Sequence, residues 1–247
     1  MESLSPCEVH VWLAWTRAID EDTARERYLG LLDDEERERH GRFVFARDRH
    51  TFLVAHALVR ETLSRYADVP PERWRFRANE YGRPSIAEPG EGARLRFNLS
   101  HTEGLAACAV TLDRELGVDV EYLDRRGETV ALADRFFAPA EARALRALAE
   151  GEQRGRFFAY WTLKEAYIKA RGMGLAIPLA DFAFTLAPPA APAIRFVDGF
   201  DDRPERWQFW QAWPTDVHRL ALAVTRDDTD HALAVTLTDT SPEALVA

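Results

Sequence analysis

The sequence predicts an α+β protein built from two similar α/β lobes, residues 1–114 and residues 115–247 with a C-terminal tail. The order of predicted elements repeats: a strand, a short acidic helix, the tripeptide Gly-Arg-Phe, a long helix and a run of strands occur twice, about 110 residues apart. Apolar residues recur three and four apart in both long helices. The 247 residues, 47% of them hydrophobic, suffice for one large domain or two small ones.

The first lobe opens with a strand and two helices. Alternating apolar residues predict a strand over 9–13. Asp33 and Glu36 are spaced as a helix N-cap and its capping box, which predicts a charged helix over 34–42. A longer helix over 46–66 ends before two prolines. Short strands are then predicted at residues 74–77, 84–86, 95–99 and 105–112.

The second lobe repeats this order. A strand is predicted over 117–122, followed by helices over 130–137 and 139–150 and a long helix that ends at Gly172. Further strands are predicted at residues 182–186, 193–197, 207–213, 220–225 and 232–238. The cleft between two such lobes is the default place for a binding site.

The composition narrows the class of protein. A formal charge of −9 argues against bulk nucleic-acid binding, which needs a broad positive surface. Cys7 and Cys108 form neither a disulfide framework nor a CxxC metal motif. The N-terminal residues do not resemble a signal peptide, and no apolar run is long enough to span a bilayer. These features predict a cytoplasmic protein that binds neither nucleic acid nor membrane.

Arginines are concentrated in one part of the first lobe. They are Arg37, Arg39, Arg42, Arg47, Arg49 and Arg60. Although the chain is acidic overall, this concentration predicts a local positive field that can hold a small anionic ligand.

The chain contains only two lysines, Lys164 and Lys169, and both lie in one predicted helix. Because arginine can replace lysine wherever a fixed positive charge suffices, this pairing indicates a need for an ammonium group. Glu165 and Lys169, four residues apart, share one face of the helix. The alternative is a surface ion pair worth about 0.2–0.5 kcal/mol.

Two acidic residues mark the strand 117–122. Asp119 and Glu121 are two apart and share one face, with Val118 and Val120 predicted on the core side. Carboxylates about 6–7 Å apart repel each other, so a cation is expected between them if they are even partly buried. Oxygen ligands favour Mg²⁺ or Mn²⁺ over Zn²⁺, and Glu165 is the third ligand if its helix crosses the strand. The alternative is an exposed strand with a polar outer face.

Two turns carry further polar candidates. His101 closes the run Phe97-Asn98-Leu99-Ser100-His101, and Arg83 lies in Tyr81-Gly82-Arg83-Pro84. The alternatives are a turn histidine bonded to the backbone and an arginine presented to solvent. The sequence contains no P-loop, HExxH or GxSxG motif.

Four segments occur in an order and approximate spacing shared with a known family. They are Gly82-Arg83-Pro84, Phe97-Asn98-Leu99-Ser100-His101, Gly117-Val118-Asp119-Val120-Glu121 and Trp161-Thr162-Leu163-Lys164-Glu165-Ala166-Tyr167-Ile168-Lys169. Over about residues 8–225 the chain resembles the Sfp-type 4'-phosphopantetheinyl transferases. The GxDxE and WxxKExxxK patterns are specific as a pair and much weaker singly.

The resemblance implies a fold and a reaction. The fold is a monomer in which the two lobes form an intramolecular pseudodimer. The reaction moves the 4'-phosphopantetheine arm of coenzyme A onto a serine of an apo acyl or peptidyl carrier protein, depends on Mg²⁺, and releases adenosine 3',5'-bisphosphate.

The resemblance also implies residue roles. Asp119, Glu121 and Glu165 hold the metal with the coenzyme A pyrophosphate, and the catalytic residues are Asp119, Glu165 as the base and Lys169 on the leaving phosphate. The contacts implied for the phosphates, 3'-phosphate and adenine of coenzyme A are Arg39, Arg47, Arg83, Ser100 and His101, with Arg49 nearby. Lys164 has no implied role, and we expect it to form a structural ion pair.

The chain departs from the family pattern in one region. Arginine stands where many relatives have lysine, and Glu36 occupies a position that is often basic, which affects the set of 3'-phosphate contacts. Two other functions are alternatives. A Mg²⁺-dependent phosphohydrolase of coenzyme A or nucleotides would use the same carboxylates with water as the nucleophile. In a non-catalytic coenzyme A-binding protein, Asp119, Glu121 and Glu165 would be surface charges.

Overall fold

The computed structural model describes residues 1–87, 90–92, 94–125, 129–227 and 232–240. The chain divides into two units, Met1–Arg114 with Ala234–Ala247, and Glu115–Leu233. The sequence placed the tail with the second lobe, but strand β11, Ala234–Thr240, pairs in parallel with the first strand of the chain and so belongs with the first unit. The predicted α+β class is confirmed.

The first unit is a sheet covered by a long helix. Its elements are β1 (Glu8–Trp15), α1 (Glu21–Tyr28), α2 (Asp34–Arg42), α3 (Ala46–Tyr66), β2 (Phe76–Ala78), β3 (Pro84–Ile86), β4 (Leu95–Thr102), β5 (Leu105–Leu112) and β11. The main sheet has the order β11-β1-β5-β4, and β2 and β3 form a separate hairpin. Helix α3 packs on β4 and β5 with a row of buried apolar side chains.

The second unit has the same kind of core. Its elements are β6 (Leu116–Tyr122), α4 (Thr129–Phe136), α5 (Pro139–Arg146), α6 (Glu150–Arg171), β7 (Phe182–Thr185), β8 (Ala193–Phe196), β9 (Trp207–Thr215) and β10 (His218–Thr225). The sheet order is β6-β10-β9, and β7 pairs with β8. Helix α6 packs on β6 and β10 and ends at Gly172, which adopts a positive φ of 69°.

Most predicted elements are present, and the differences have local causes. The capping box of α2 is confirmed, because Asp33 accepts from the Glu36 N–H and Glu36 accepts from the Asp33 N–H. Helix α1 was not predicted, since only Ala24 and Tyr28 of its eight residues are buried and the rest give no apolar stripe. Among the described residues, no helix is both long enough and apolar enough to cross a membrane.

Strand β6 turns its acidic face toward α6. A Cβ atom on Gly117 would lie 2.1 Å from the carbonyl oxygen of Ala166, so the two backbones are in direct contact there. Asp119, two residues on, points the same way. Val118 and Val120 are buried, as predicted, and they lie on the face of β6 opposite Asp119 because alternate residues of a strand point to opposite faces. Because both faces of β6 are covered, the alternation of polar and apolar side chains along the strand does not show which face packs against α6.

Candidate active site

Asp119 and Lys169 form an ion pair between β6 and α6. The Lys169 Nζ donates to Asp119 Oδ1 at 2.6 Å and to the Val118 carbonyl oxygen at 3.2 Å. The Asp119 side chain is 7% exposed and that of Lys169 is 28% exposed. Lys169 therefore pairs across to the strand, a contact that its helical spacing from Glu165 did not predict.

Glu121 and Glu165 lie in the electric field of Asp119. Burial, followed by the negative charge of Asp119, raises the pKa of Glu121 to about 7. The same two causes, in the same order, raise the pKa of Glu165 to about 7. The positive charges of Lys169 and Arg125 oppose both shifts. The structure thus brings the three predicted carboxylates and the lysine into one electrostatic group on the β6–α6 contact.

Two basic side chains supply the counter-charge of this group. Besides Lys169 on Asp119, the Arg125 Nη1 lies 3.1 Å from Glu121 Oε2. Three carboxylates are the donors that Mg²⁺ or Mn²⁺ prefers, so the donor set fits the ion that the resemblance implies. In the arrangement described, however, no three His, Cys, Asp or Glu side chains among the described residues converge closely enough to hold a metal ion.

Lys164 faces away from this group into the core. Its Nζ lies 2.8 Å from Glu141 Oε2 and donates to the carbonyl oxygens of Leu179 at 2.7 Å and Phe182 at 2.6 Å. Glu141 also accepts from two backbone N–H groups, so both ions of this fully buried pair are surrounded by hydrogen bonds. The expected structural ion pair is confirmed. An ammonium suits the place because it directs three donors to three separate oxygens.

Sequence reasoning missed three contributors to the site. Arg125 was not considered, although it stands four residues after Glu121. Gly117 was read only as part of a motif, whereas its missing side chain is what lets α6 approach β6. Trp161 was read as part of the apolar stripe, yet its indole interacts with Glu121 and opposes the rise in that pKa. Gly117 and Trp161 belong to the two sequence motifs, so the sequence did mark their positions. Arg125 lies outside both motifs.

The basic residues predicted to contact coenzyme A belong to the first unit. The Arg39 guanidinium lies 5.5 Å from the centre of the Phe52 ring. Arg47 lies 3.5 Å from a carboxylate oxygen of Glu103, at the turn between β4 and β5. Arg83 follows Gly82, whose φ of 84° makes the turn into β3. All three are at least partly accessible to solvent.

Ser100 and His101 point to opposite faces of β4. Residues that follow one another in a strand alternate in direction. Ser100 is buried and pairs with Ala107, whereas His101 is exposed and pairs with Ala106, a member of the apolar core beneath α3. The strand continues to Thr102, so His101 lies within it and not in the turn that the sequence predicted.

Glu36 stands at a position that is often basic in the family that the chain resembles, and its side chain is held by an ion pair and a hydrogen bond within the first unit. Its carboxylate pairs with the fully buried guanidinium of Arg60 and accepts from His56 Nδ1 at 2.8 Å. Here an acid neutralises Arg60 inside the unit. One of the clustered arginines is therefore structural and does not face solvent.

The two units correspond to two known families of sequence. Residues 19–112 match the N-terminal part of 4'-phosphopantetheinyl transferase, and residues 115–235 match the 4'-phosphopantetheinyl transferase superfamily. The chain belongs to the 4'-phosphopantetheinyl transferase superfamily, whose members transfer phosphopantetheine to carrier proteins.

Individual relatives agree with this assignment. The chain is 33% identical to the 4'-phosphopantetheinyl transferase HetI of Nostoc sp., over 82% of this chain and 92% of that protein. It is 32% identical to the phosphopantetheinyl transferase of Thraustochytrium sp., over 91% of this chain and 81% of that protein. It is also 32% identical to the 4'-phosphopantetheinyl transferase Sfp of Bacillus subtilis, over 70% of this chain and 75% of that protein.

Proposed function

We propose that this chain is an Sfp-type enzyme that transfers the 4'-phosphopantetheine arm of coenzyme A to a serine of an apo acyl or peptidyl carrier protein. In this reaction the serine oxygen forms a bond to the phosphorus next to the pantetheine arm. The bond from that phosphorus to the bridging oxygen breaks, and adenosine 3',5'-bisphosphate leaves. We propose further that the protein acts as a monomer in the cytoplasm.

One observation supports this function above the others: Asp119, Glu121, Glu165 and Lys169 share one electrostatic neighbourhood. The two specific motifs lie 40 residues apart in sequence and meet where β6 contacts α6. Attack on a pyrophosphate requires acceptors for a proton, groups that clamp negative oxygens, and neutralisation of the leaving group. Carboxylates with pKa values near neutrality beside an ammonium group are suited to those tasks.

Glu165 is the proposed general base. In the chain without a metal ion, burial and the charge of Asp119 raise the pKa of Glu165 to about 7, which suits a group that accepts a proton near neutral pH. Asp119 keeps Lys169 in place through the 2.6 Å contact. Lys169 then contacts the departing phosphate and donates a proton to it, which an arginine side chain does poorly because its pKa is far higher.

A divalent ion is the proposed cofactor. Asp119, Glu121 and Glu165 would hold Mg²⁺, or Mn²⁺, and their oxygen donors fit that choice. When bound, the ion would supply charge stabilisation to the pyrophosphate oxygens. Lys169 and Arg125 provide the positive charge around the same carboxylates in the structure described.

The first unit is proposed to bind the nucleotide end of coenzyme A. Arg39, Arg47 and Arg83 would contact its 3'-phosphate and adenine side, since arginine binds phosphate through two parallel hydrogen bonds. Ser100 and His101 would contact the phosphates, from the two faces of β4 that they occupy.

Mass spectrometry of a purified apo carrier protein, incubated with this chain and coenzyme A, tests the proposal. With Mg²⁺ present, the carrier should gain the mass of one phosphopantetheine group, and a chelator should prevent the gain. Cleavage of coenzyme A without any carrier would favour a phosphohydrolase. Coenzyme A binding without cleavage or transfer, unaffected by the chelator, would favour a non-catalytic binding protein.

A further inference from the structure

A basic cavity lies in the first unit, and neither Arg39 nor Arg47 is among the residues that line it. Helices α1, α2 and α3 enclose a cavity of about 500 Å³. Its charged walls include Arg25 from α1, Arg37 and His40 from α2, and Arg49 and His50 from α3. Leu29 and Leu53 add apolar surface. The volume falls in the range of pockets that bind small molecules, roughly 300–1,000 Å³.

Two of these arginines are not neutralised by a protein carboxylate. Among the described residues, neither Arg25 nor Arg49 forms an ion pair, and the hydrogen bond that Arg49 makes, to the Phe43 carbonyl oxygen, is long at 3.4 Å. Arg37, by contrast, is paired with Asp34. Two arginines that line one cavity and have no carboxylate partner among the described residues are suited to binding an anion.

His40 shows that these groups converge. Burial, then the positive charges of Arg49 and Arg25, lower the pKa of His40. The three residues come from three helices and line the same cavity, so the ring lies in the positive field of both guanidinium groups. In its neutral form the imidazole can donate or accept one hydrogen bond beside them.

The cavity also contains two acids, Glu21 and Asp22, in the first turn of α1. Both are exposed, so solvent screens them strongly. Because Arg37 is paired with Asp34, these two acids equal in number the two lining arginines without an ion pair among the described residues, Arg25 and Arg49. Arg25 is exposed like the acids, whereas Arg49 is half-buried and is therefore less screened by solvent.

None of the residues proposed to contact coenzyme A lines this cavity, although Arg49, which does line it, lies close to Arg47 in the sequence. Arg39 stacks on Phe52 and Arg47 pairs with Glu103, and neither lines the cavity. Of the arginines concentrated in this part of the sequence, Arg37 and Arg49 therefore line the cavity, and Arg60 forms a buried ion pair.

We propose that the cavity between α1, α2 and α3 binds a small phosphorylated molecule, held by Arg25 and Arg49, at a site distinct from the coenzyme A contacts. Arginine is suited to this ligand because its planar donors match two phosphate oxygens at once. The proposal does not depend on the transfer reaction.

Isothermal titration calorimetry with inorganic pyrophosphate as the probe tests this site, using the full chain in a metal chelator. We expect saturable binding that weakens at least tenfold in Arg25→Gln and in Arg49→Gln. Arg42→Gln is the control and should bind as the unaltered chain does, because it removes an exposed arginine of α2 that pairs with Glu38 and does not line the cavity. Arg47→Gln, which removes a proposed coenzyme A contact, is measured beside it to distinguish the two sites. Circular dichroism establishes that each variant is folded.

Three results would overturn the site. They are absence of pyrophosphate binding by the folded chain, equal loss of binding in Arg47→Gln and Arg49→Gln, and complete displacement of pyrophosphate by saturating coenzyme A. The last two would assign the phosphate to the coenzyme A contacts. Retained binding at saturating coenzyme A supports a separate site.

Discussion

At the scale of single residues, the two lysines of α6 serve different purposes. Lys164 is fully buried and bound to Glu141 and two carbonyl oxygens, whereas Lys169 is partly accessible and bound to Asp119. Each place favours an ammonium over a guanidinium for its own reason. The first requires three diverging donors in a small space, and the second, in the proposed reaction, requires a proton that can be released.

Lys169→Arg should lower the transfer rate at least tenfold although it keeps the charge. The larger, planar group does not reproduce the contact with Asp119, and its pKa is too high for proton donation. Steady-state kinetics with a carrier protein measure the effect, with Arg143→Lys, exposed on α5, as the matched control. Full activity in Lys169→Arg would remove the proton-donor role.

Lys164→Met should lower the free energy of unfolding by about 3–5 kcal/mol, because it leaves Glu141 buried without its counter-ion. Adding Glu141→Gln should recover part of that loss, since a neutral amide is less costly to bury than an unpaired carboxylate. Urea unfolding of the single and double variants measures both values. A loss under about 1 kcal/mol in Lys164→Met would show that this pair contributes little to stability.

At the scale of elements, the contact between β6 and α6 depends on Gly117. Gly117→Ala should destabilise the protein by about 1–3 kcal/mol or more, since the new Cβ would meet backbone atoms that cannot move singly. Thermal and urea unfolding measure it. Gly151→Ala is the control: it lies in α6 with open space around its Cβ position and should be neutral or slightly stabilising. Equal effects of the two changes would contradict a close backbone contact at Gly117.

The link between α2 and α3 should be sensitive to acid. Burial alone would raise the pKa of Glu36, but the hydrogen bond with His56 and the charge of Arg60 outweigh it and lower the pKa to about 2. A depressed carboxyl pKa contributes stability above its unfolded value of 4.5 that is lost as the pH falls toward 2. Unfolding free energies measured from pH 7 to pH 2 should therefore fall over that window. The free energy of unfolding of Glu36→Gln should be lower than that of the unaltered chain at pH 7 and should fall less as the pH is lowered. An equal fall in the two proteins between pH 7 and pH 2 would contradict this.

Elements with strong local signals were predictable, and long-range pairings were not. The capping box and the following prolines predicted α2 and α3 to the residue, whereas α1 has polar residues on nearly all sides and no apolar stripe. The motifs predicted which side chains form the acidic group. Nothing local indicated that Lys164 would find Glu141, or that β6 would be buried on both faces, because these depend on how distant segments pack.

At the scale of the whole molecule, the chain returns to its first unit at the end. Strand β11 pairs along β1 from Glu8 to Ala14, and Thr240 donates a hydrogen bond to the Leu13 carbonyl oxygen. Removing residues 234–247 should lower the thermal midpoint by several degrees, roughly 4–8 °C per kcal/mol for a unit of this size. The exposed edge of β1 should also promote aggregation. Differential scanning calorimetry and light scattering measure the two effects, and an unchanged midpoint would show that β11 is dispensable.

The complete burial of Lys164 has a practical consequence for chemical labelling. Because the chain has only two lysines, folding leaves Lys169 as its sole accessible ε-amine. An amine-reactive dye should therefore mark one side chain in the native state, apart from the α-amino group, and two after unfolding. The extent of that single modification, followed by peptide mapping, would give a direct readout of what occupies the surroundings of Asp119.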